Sequence, residues 1–360
     1  MSGFGERVLA AWRDNRLISV LVELTYRCNL DCAFCYNDLG RQGRPLSTAR
    51  WLRLFEELAE LQVLNLVLSG GEPLAHPDFL RLGGEARRLG FVVRVKSNGH
   101  ALRGELARRV RDEVDPFVIE VSLHGACAAT HDRQTRVPGS FDRLLANLAE
   151  LRALGLRVKI NATLTRWNEE EVEAMDALAG LLGLPLTFDP EVTPRDDGDR
   201  GPLALAASRE GLRRLFELQG RHATDGEAPL VIAQQGELVT PPPGGGKHCG
   251  AGSSGLTVDP YGNVYPCVQW RRPAGNLHDS TVREIWEGSS ALREVRELAV
   301  AVSDRLSESP RLALGGFCPG TAESVTGDPT GAYPALDVRR ELLSDLAGAR
   351  RPNTRLPVIP

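Results

Sequence analysis

The chain has 360 residues, 42% of them hydrophobic and 25% charged, with a net charge of −4 and a pI of about 6.0. That balance excludes a disordered, collagen-like or coiled-coil chain, and the absence of a basic stripe excludes a protein built mainly to grip nucleic acid. At about 150 residues per domain the length predicts two domains, with a core that needs no crosslinks.

Residues 1–17 form an N-terminal segment with no long apolar stretch and with Glu6 early, so no signal peptide is expected. No apolar run approaches a membrane span, which predicts a cytoplasmic chain with no membrane partner. In that compartment seven cysteines read as metal ligands or chemistry, not crosslinks. Only three of the 43 Lys and Arg residues are Lys (Lys96, Lys159 and Lys247), read here as coding bias.

From residue 18 to 222 strands and helices alternate. The strand segments are Ile18–Thr25, Leu64–Leu68, Phe91–Lys96, Phe117–Leu123, Arg157–Thr165 and Leu184–Asp189. Their apolar character predicts parallel strands buried on both faces. Between them, Trp51, Phe55, Leu58 and Leu61 recur at helical spacing behind the cap Ser47. Ser140 and Asn168 stand as caps of two further helices. Six β-α units in a row predict an α/β fold whose parallel sheet is open or partly closed as a barrel. Residues 223–246 end in Pro241-Pro242-Pro243-Gly244-Gly245-Gly246, a linker composition. A second module over 247–340 follows, with a hairpin around Asp259-Pro260-Tyr261-Gly262-Asn263 and a helix over Val282–Leu298. Residues 341–360 are expected to be a mobile tail.

Cys28, Cys32 and Cys35 follow the first strand directly, as C-x3-C-x2-C. The chance expectation of such a triplet is on the order of 0.003 in this chain. A closed zinc site needs four ligands, usually as two pairs, and no second pair lies nearby. Three thiolates without a fourth point to a metal centre with one open coordination position.

The segment Cys28-Asn29-Leu30-Asp31-Cys32-Ala33-Phe34-Cys35 resembles the radical S-adenosylmethionine (radical SAM) superfamily. The resemblance implies a [4Fe–4S] cluster on the three cysteines, with SAM on the fourth iron. SAM is then split reductively to a 5′-deoxyadenosyl radical that takes hydrogen from the substrate. It further implies cofactor contacts at Phe34 beside the third cysteine, at Ser69-Gly70-Gly71-Glu72 facing the methionine ammonium, and at Ser97 and Asn98. Ser122 and Arg136 match positions that hold the SAM carboxylate, and Asn161 matches another cofactor-side position. The implied fold is a partial (β/α)6, TIM-like barrel with a small C-terminal iron–sulfur module.

That module carries Cys249, Cys267 and Cys318. Cys249-Gly250-Ala251-Gly252, Gly262-Asn263-Val264-Tyr265-Pro266-Cys267 and Phe317-Cys318-Pro319-Gly320 resemble a SPASM or Twitch auxiliary-cluster domain. A full SPASM domain has seven cysteines; three allow one auxiliary [4Fe–4S] cluster, with a cluster-free remnant as the rival. His248 is a candidate fourth ligand or else a solvated loop residue. Cys127 is a small structural residue, a fourth ligand or a radical-handling thiol. Asp196-Asp197-Gly198-Asp199 is a solvated loop or a substrate lid.

The resemblance implies a maturase of a ribosomal peptide, acting by crosslinking, epimerisation or a related change. The alternative is a small-molecule dehydrogenase or decarboxylase of the same chemistry; a more distant one is a non-catalytic iron–sulfur or zinc protein. The expected partners are the substrate and an external one-electron reductant of flavodoxin or ferredoxin type. The segment before the first strand is too short for a fused leader-binding domain, so a peptide substrate would need a separate leader-peptide-binding protein or direct binding.

Overall fold

The computed structural model describes residues 3–38, 40–222, 246–308 and 316–349. After helix α1 (Gly3–Arg13), six strands follow: β1 (Ser19–Glu23), β2 (Asn65–Ser69), β3 (Val92–Ser97), β4 (Val118–Ser122), β5 (Val158–Thr163) and β6 (Leu186–Asp189). All six pair in parallel with their sequence neighbours. The helices between and after them are α2 (Thr48–Glu60), α3 (Phe79–Arg88), α4 (Gly104–Arg109), α5 (Ala128–Thr135), α6 (Ser140–Ala153), α7 (Val172–Leu182) and α8 (Arg209–His222). This is the β-α alternation of a partial barrel.

One face of the sheet carries Val20, Val22, Leu66, Leu68, Val93, Val95, Ile119, Val121, Val158 and Ile160. These pack on Trp51, Leu54, Phe55 and Leu58 of α2, Phe79 and Leu82 of α3, and Leu144 and Leu148 of α6. Side chains alternate along a strand, so the intervening residues face the barrel interior. There the wall carries many polar side chains: Glu23, Ser69, Arg94, Lys96, Glu120, Ser122, Lys159, Asn161 and Asp189. Leu21 and Val67 are buried on that face too, but its character is mixed, whereas the opposite face is apolar throughout. The helix-packed face supplies the core, and the inner face is free to carry chemistry.

The second module is β7 (Gly255–Val258), β8 (Asn263–Tyr265), β9 (Gly275–Asn276), α9 (Val282–Gly288), α10 (Ser290–Glu308), α11 (Pro319–Thr326) and α12 (Pro334–Ala349). Strands β7 and β8 form the expected hairpin. Strand β7 also pairs in parallel with β1, so one nine-stranded sheet runs β6-β5-β4-β3-β2-β1-β7-β8-β9. The module is thus an extension of the barrel sheet. The Pro/Gly linker expected over 223–246 lies outside the described residues, Gly246 excepted.

Four local expectations change. The helix over Val282–Leu298 is two helices, because Ser289 adopts an extended backbone (ψ 125°) between α9 and α10. Ser47 caps α2 as expected, accepting from the Arg50 N–H. Ser140 does not cap α6; Asp132 does that work, accepting from the Gly139 and Phe141 N–H groups and the Ser140 hydroxyl. Asn168 turns inward instead of capping, bonding the backbones of Thr163, Thr165 and His124. The tail does not begin at 341: α12 runs on to Ala349, and Leu342 and Leu343 are buried against Leu212, Leu215 and Phe216 of α8. Their apolar spacing holds that stretch down, and residues 350–360 lie outside the described residues.

Candidate active site

The loop after β1 carries Cys28, Cys32 and Cys35. It is held by backbone bonds to the end of α5, from Asp31 N–H to Thr135 O and from Ala33 N–H to Gln134 O. The Leu30 N–H donates to Cys28 Sγ, and the Cys35 N–H to Cys32 O. All three thiols are free. Burial, opposed by the Asn37 backbone N–H and Arg195 and aided by Cys28 and Asp196, pushes the Cys35 thiol up to about 11, and burial also raises Cys28 and Cys32. Phe34 lies edge-on to His124, ring centroids 4.8 Å apart. Burial pushes the His124 imidazole down to about 3, so it is neutral.

The turn after β2 closes on this loop. The Gly71 N–H donates to Thr25 O at 2.7 Å, and Glu72 N–H to Arg27 O at 2.9 Å. A Cβ on Gly71 would stand 2.6 Å from Tyr26 O, and one on Gly70, at φ +140°, 2.3 Å from Thr25 O. Only glycine permits this approach. Glu72 is buried, and its carboxylate accepts from Ser97 Oγ, the Asn98 N–H and the Leu74 N–H. Burial raises its pKa despite those bonds. Asn98 Nδ2 donates to Asn29 Oδ1 at 2.7 Å and lies 3.8 Å from Cys28 Sγ. Ser69, Gly70, Gly71, Glu72, Ser97 and Asn98 thus meet the cysteine loop at one end of the sheet. Ser122 and Asn161 are register partners on β4 and β5. Arg136 is exposed and pairs with Asp31, beside Cys32.

Cys249, Cys267 and Cys318 also come together, from three separate loops. Burial pushes Cys249 up to about 12, with repulsion from Cys318 and Cys267 adding. Burial also raises Cys318 to about 12, with Glu191 the next contributor, and raises Cys267. Close backbone approaches seat the loops. A Cβ on Gly320 would lie 2.3 Å from Gln269 O, and one on Gly250 2.7 Å from Trp12 Nε1. His248 is not a solvated loop residue. Its Nε2 bonds Phe317 O at 2.8 Å, so Nε2 carries the proton and Nδ1 is left a buried acceptor with no partner among the described residues.

A buried charge cluster that sequence reasoning missed joins the two cysteine sets. Arg271, four residues after Cys267, forks onto Glu23 of β1 at 2.8 and 2.9 Å and contacts Asp196 at 3.1 Å. Tyr26 and Tyr36, from the cysteine loop, donate to the same Glu23. Asp196 therefore belongs to the interior, while Asp197 and Asp199 are exposed. The available signal was Glu23 itself, a carboxylate ending an apolar strand at an inward position. Glu191 and Arg339 form a second buried pair, at 3.3 Å, beside Cys318. Cys127 is exposed, near Glu171 and Thr130.

A sequence profile described as the radical SAM superfamily matches residues 22–179, and one described as an iron–sulfur cluster-binding domain (SPASM) matches 249–310. PqqA peptide cyclase of Ruegeria pomeroyi is 32% identical over 339 residues, covering 88% of this chain and 86% of that protein. The chain belongs to the radical SAM superfamily. Mycofactocin maturase MftC of Mycobacterium tuberculosis is 32% identical over 76% of this chain and 71% of its own length. AdoMet-dependent heme synthase of Methanosarcina barkeri is 30% identical over 76% and 83%. Among solved structures, anSMEcpe with bound AdoMet has a TM-score of 0.70 at 17% identity, covering 93% of this chain and 94% of that one, which shows a shared fold.

Membership makes this a SAM-dependent enzyme with a [4Fe–4S] cluster, and the SPASM match adds auxiliary iron–sulfur binding. The donor sets fit such groups. Among the described residues no three His, Cys, Asp or Glu side chains are placed to hold one metal ion, whereas each iron of a cluster takes its own thiolate. Buried thiols with raised pKa values keep their protons in water, but iron displaces those protons and neutralises the thiolates. Among the described residues no helix is long and apolar enough to cross a membrane.

Proposed function

We propose that this radical SAM enzyme matures a ribosomal peptide. The supporting observation is its 32% identity to a peptide cyclase along 88% of the chain. On this reading Cys28, Cys32 and Cys35 hold the cluster that binds SAM, and Cys249, Cys267 and Cys318 hold one auxiliary cluster. When bound, the first cluster and SAM supply the radical that removes hydrogen from the substrate.

The residues of the chain do the positioning. Gly70 and Gly71 bring backbone carbonyls to the methionine ammonium, and Glu72 locks that turn to Ser97 and Asn98. Phe34 covers the adenine, while Ser122, Arg136 and Asn161 stand on the carboxylate and ribose side. His248 Nδ1 supplies the fourth auxiliary ligand: its Nε2 proton is committed to Phe317 O, the arrangement in which a ligating imidazole is held. A nitrogen hyperfine coupling lost in His248→Gln supports that assignment; the same auxiliary spectrum in both proteins contradicts it. A flavodoxin- or ferredoxin-type reductant and a separate leader-binding protein complete the system.

The test is anaerobic co-expression with a short peptide encoded beside this gene, followed by intact mass. Loss of two hydrogens per event marks a crosslink or dehydrogenation. An unchanged mass that takes up deuterium from D2O marks epimerisation. An unaltered peptide, with 5′-deoxyadenosine still formed, moves the reading to a small molecule, as the similarity to a heme synthase allows.

A further inference from the structure

The inner wall of the barrel carries an uncompensated positive charge. Lys96 of β3, Glu120 of β4 and Lys159 of β5 are direct register partners, so their side chains leave the sheet on one face. It is the face opposite the helix-packed core, where barrels commonly place Val, Ile or Leu. Strand spacing puts the two lysines about 10 Å apart at Cα, with Glu120 between them.

Against burial, both lysines lie close enough to help hold the Glu120 pKa down, but neither bonds its carboxylate. One of its oxygens accepts from Arg94 at 2.5 Å and the other from Asn161 at 2.6 Å. Among the described residues neither Lys96 nor Lys159 makes a hydrogen bond or an ion pair within 4.0 Å. Arg94, Lys96 and Lys159 against Glu120 and Asp189, the wall carboxylate that also feels Lys96, leave one positive charge over. Burial lowers the Lys159 pKa, with repulsion from Arg94 and Lys96 adding and Glu120 opposing.

Composition points to the same place. Three of 43 cationic residues are Lys, and two of the three stand on this wall. The third, Lys247, is tied to Trp12 O and Asn15 Oδ1. A compact ammonium fits where a guanidinium fork does not, and a cleft of one sign focuses its field on an incoming ion. Of the interior carboxylates, Glu23 is already paired with Arg271, and Asp189 at the end of β6 faces Lys96 without an ion pair to it within 4.0 Å.

We propose that Lys96 and Lys159 form an anion subsite inside the barrel that takes a carboxylate of the substrate. The proposal rests on the reading that the substrate enters this lumen, and it adds the charge the substrate must bring. An acidic side chain and a peptide C-terminus share that chemistry.

The test is calorimetry at low salt on the anaerobically reconstituted enzyme with three probes. N-acetylglutamate α-amide carries only a side-chain carboxylate, N-acetylglycine only an α-carboxylate, and N-acetylglutamine amide neither. At least one carboxylate should bind and the neutral amide should not; the tighter carboxylate identifies the source. Lys96→Met and Lys159→Met should each weaken binding at least about tenfold, and Lys247→Met should not. Failure of both carboxylates to bind, equal binding of the neutral amide, or undiminished affinity in the Lys96→Met/Lys159→Met double variant overturns the proposal. Formation of 5′-deoxyadenosine by the same wild-type preparation with reductant alone is read separately. If it forms and no carboxylate binds, the subsite fails and the enzymatic reading stands. If none forms, that reading fails, and selective carboxylate binding still reports the subsite.

Discussion

Cys28, Cys32 and Cys35 lie within eight residues on one loop, whereas Cys249, Cys267 and Cys318 span 70 residues and three loops. The first set needs the end of β1 and a few backbone bonds to α5. The second needs α1 under Gly250, the Gln269–Trp270 backbone under Gly320, and His248 against Phe317. A site written into one loop depends on local chain geometry. A site assembled by the fold inherits every weakness of the contacts that assemble it. The two should therefore break differently.

The largest effect is expected at Gly71. A methyl group there meets Tyr26 O and Arg27 O within 2.8 Å, and both are backbone atoms that cannot swing away. Gly71→Ala should lower SAM cleavage by about a hundredfold, the cost of displacing a reacting group by about 1 Å, while iron content holds. Cleavage at the wild-type rate would show that the turn does not position the cofactor.

Gly320→Ala makes the matching change in the assembled site. The new methyl would sit 2.3 Å from Gln269 O and drive the Cys318 loop away from the Cys267 loop. The expected result is loss of about one cluster's iron, with substrate-free SAM cleavage preserved. Iron counts equal to wild type would mean that the second site tolerates displacement, contrary to the comparison.

Much of the fold was legible because one physical signal dominated it. The apolar strand segments and the cap Ser47 are local, and β1 to β6 lie within two residues of the expected segments. The C-x3-C-x2-C spacing was equally legible, since chemistry at one loop leaves its pattern in contiguous residues. What stayed hidden depends on pairings far apart in sequence. Nothing local announces that β7 joins β1, that Arg271 reaches Glu23 across 248 positions, or that Arg339 of α12 reaches Glu191. Asp196 looked like part of an acidic loop because its partner lies 75 residues away.

The smallest effect concerns that aspartate. Burial, with Glu23 repulsion adding and Arg271 opposing, holds Asp196 up at about 7 against an ordinary value of 3.8. The folded chain then keeps a proton that the unfolded chain releases. The stability carried by that proton is complete below about pH 4 and is lost as pH rises through 7. Asp196→Asn stays neutral throughout, so its stability relative to wild type should increase between pH 4 and 8. Parallel thermal-melting curves across that range would show that Asp196 is ionised in the folded state.

The central claim is that the chain holds two independent cysteine centres, one local and one assembled. The direct measurement is iron and sulfide content of the Cys28/Cys32/Cys35→Ala variant, purified anaerobically beside the wild type. The account predicts that the variant keeps about four irons per chain on the second set and forms no 5′-deoxyadenosine. Near-zero iron in a folded variant would contradict it, leaving the module around Cys249, Cys267 and Cys318 without a cluster.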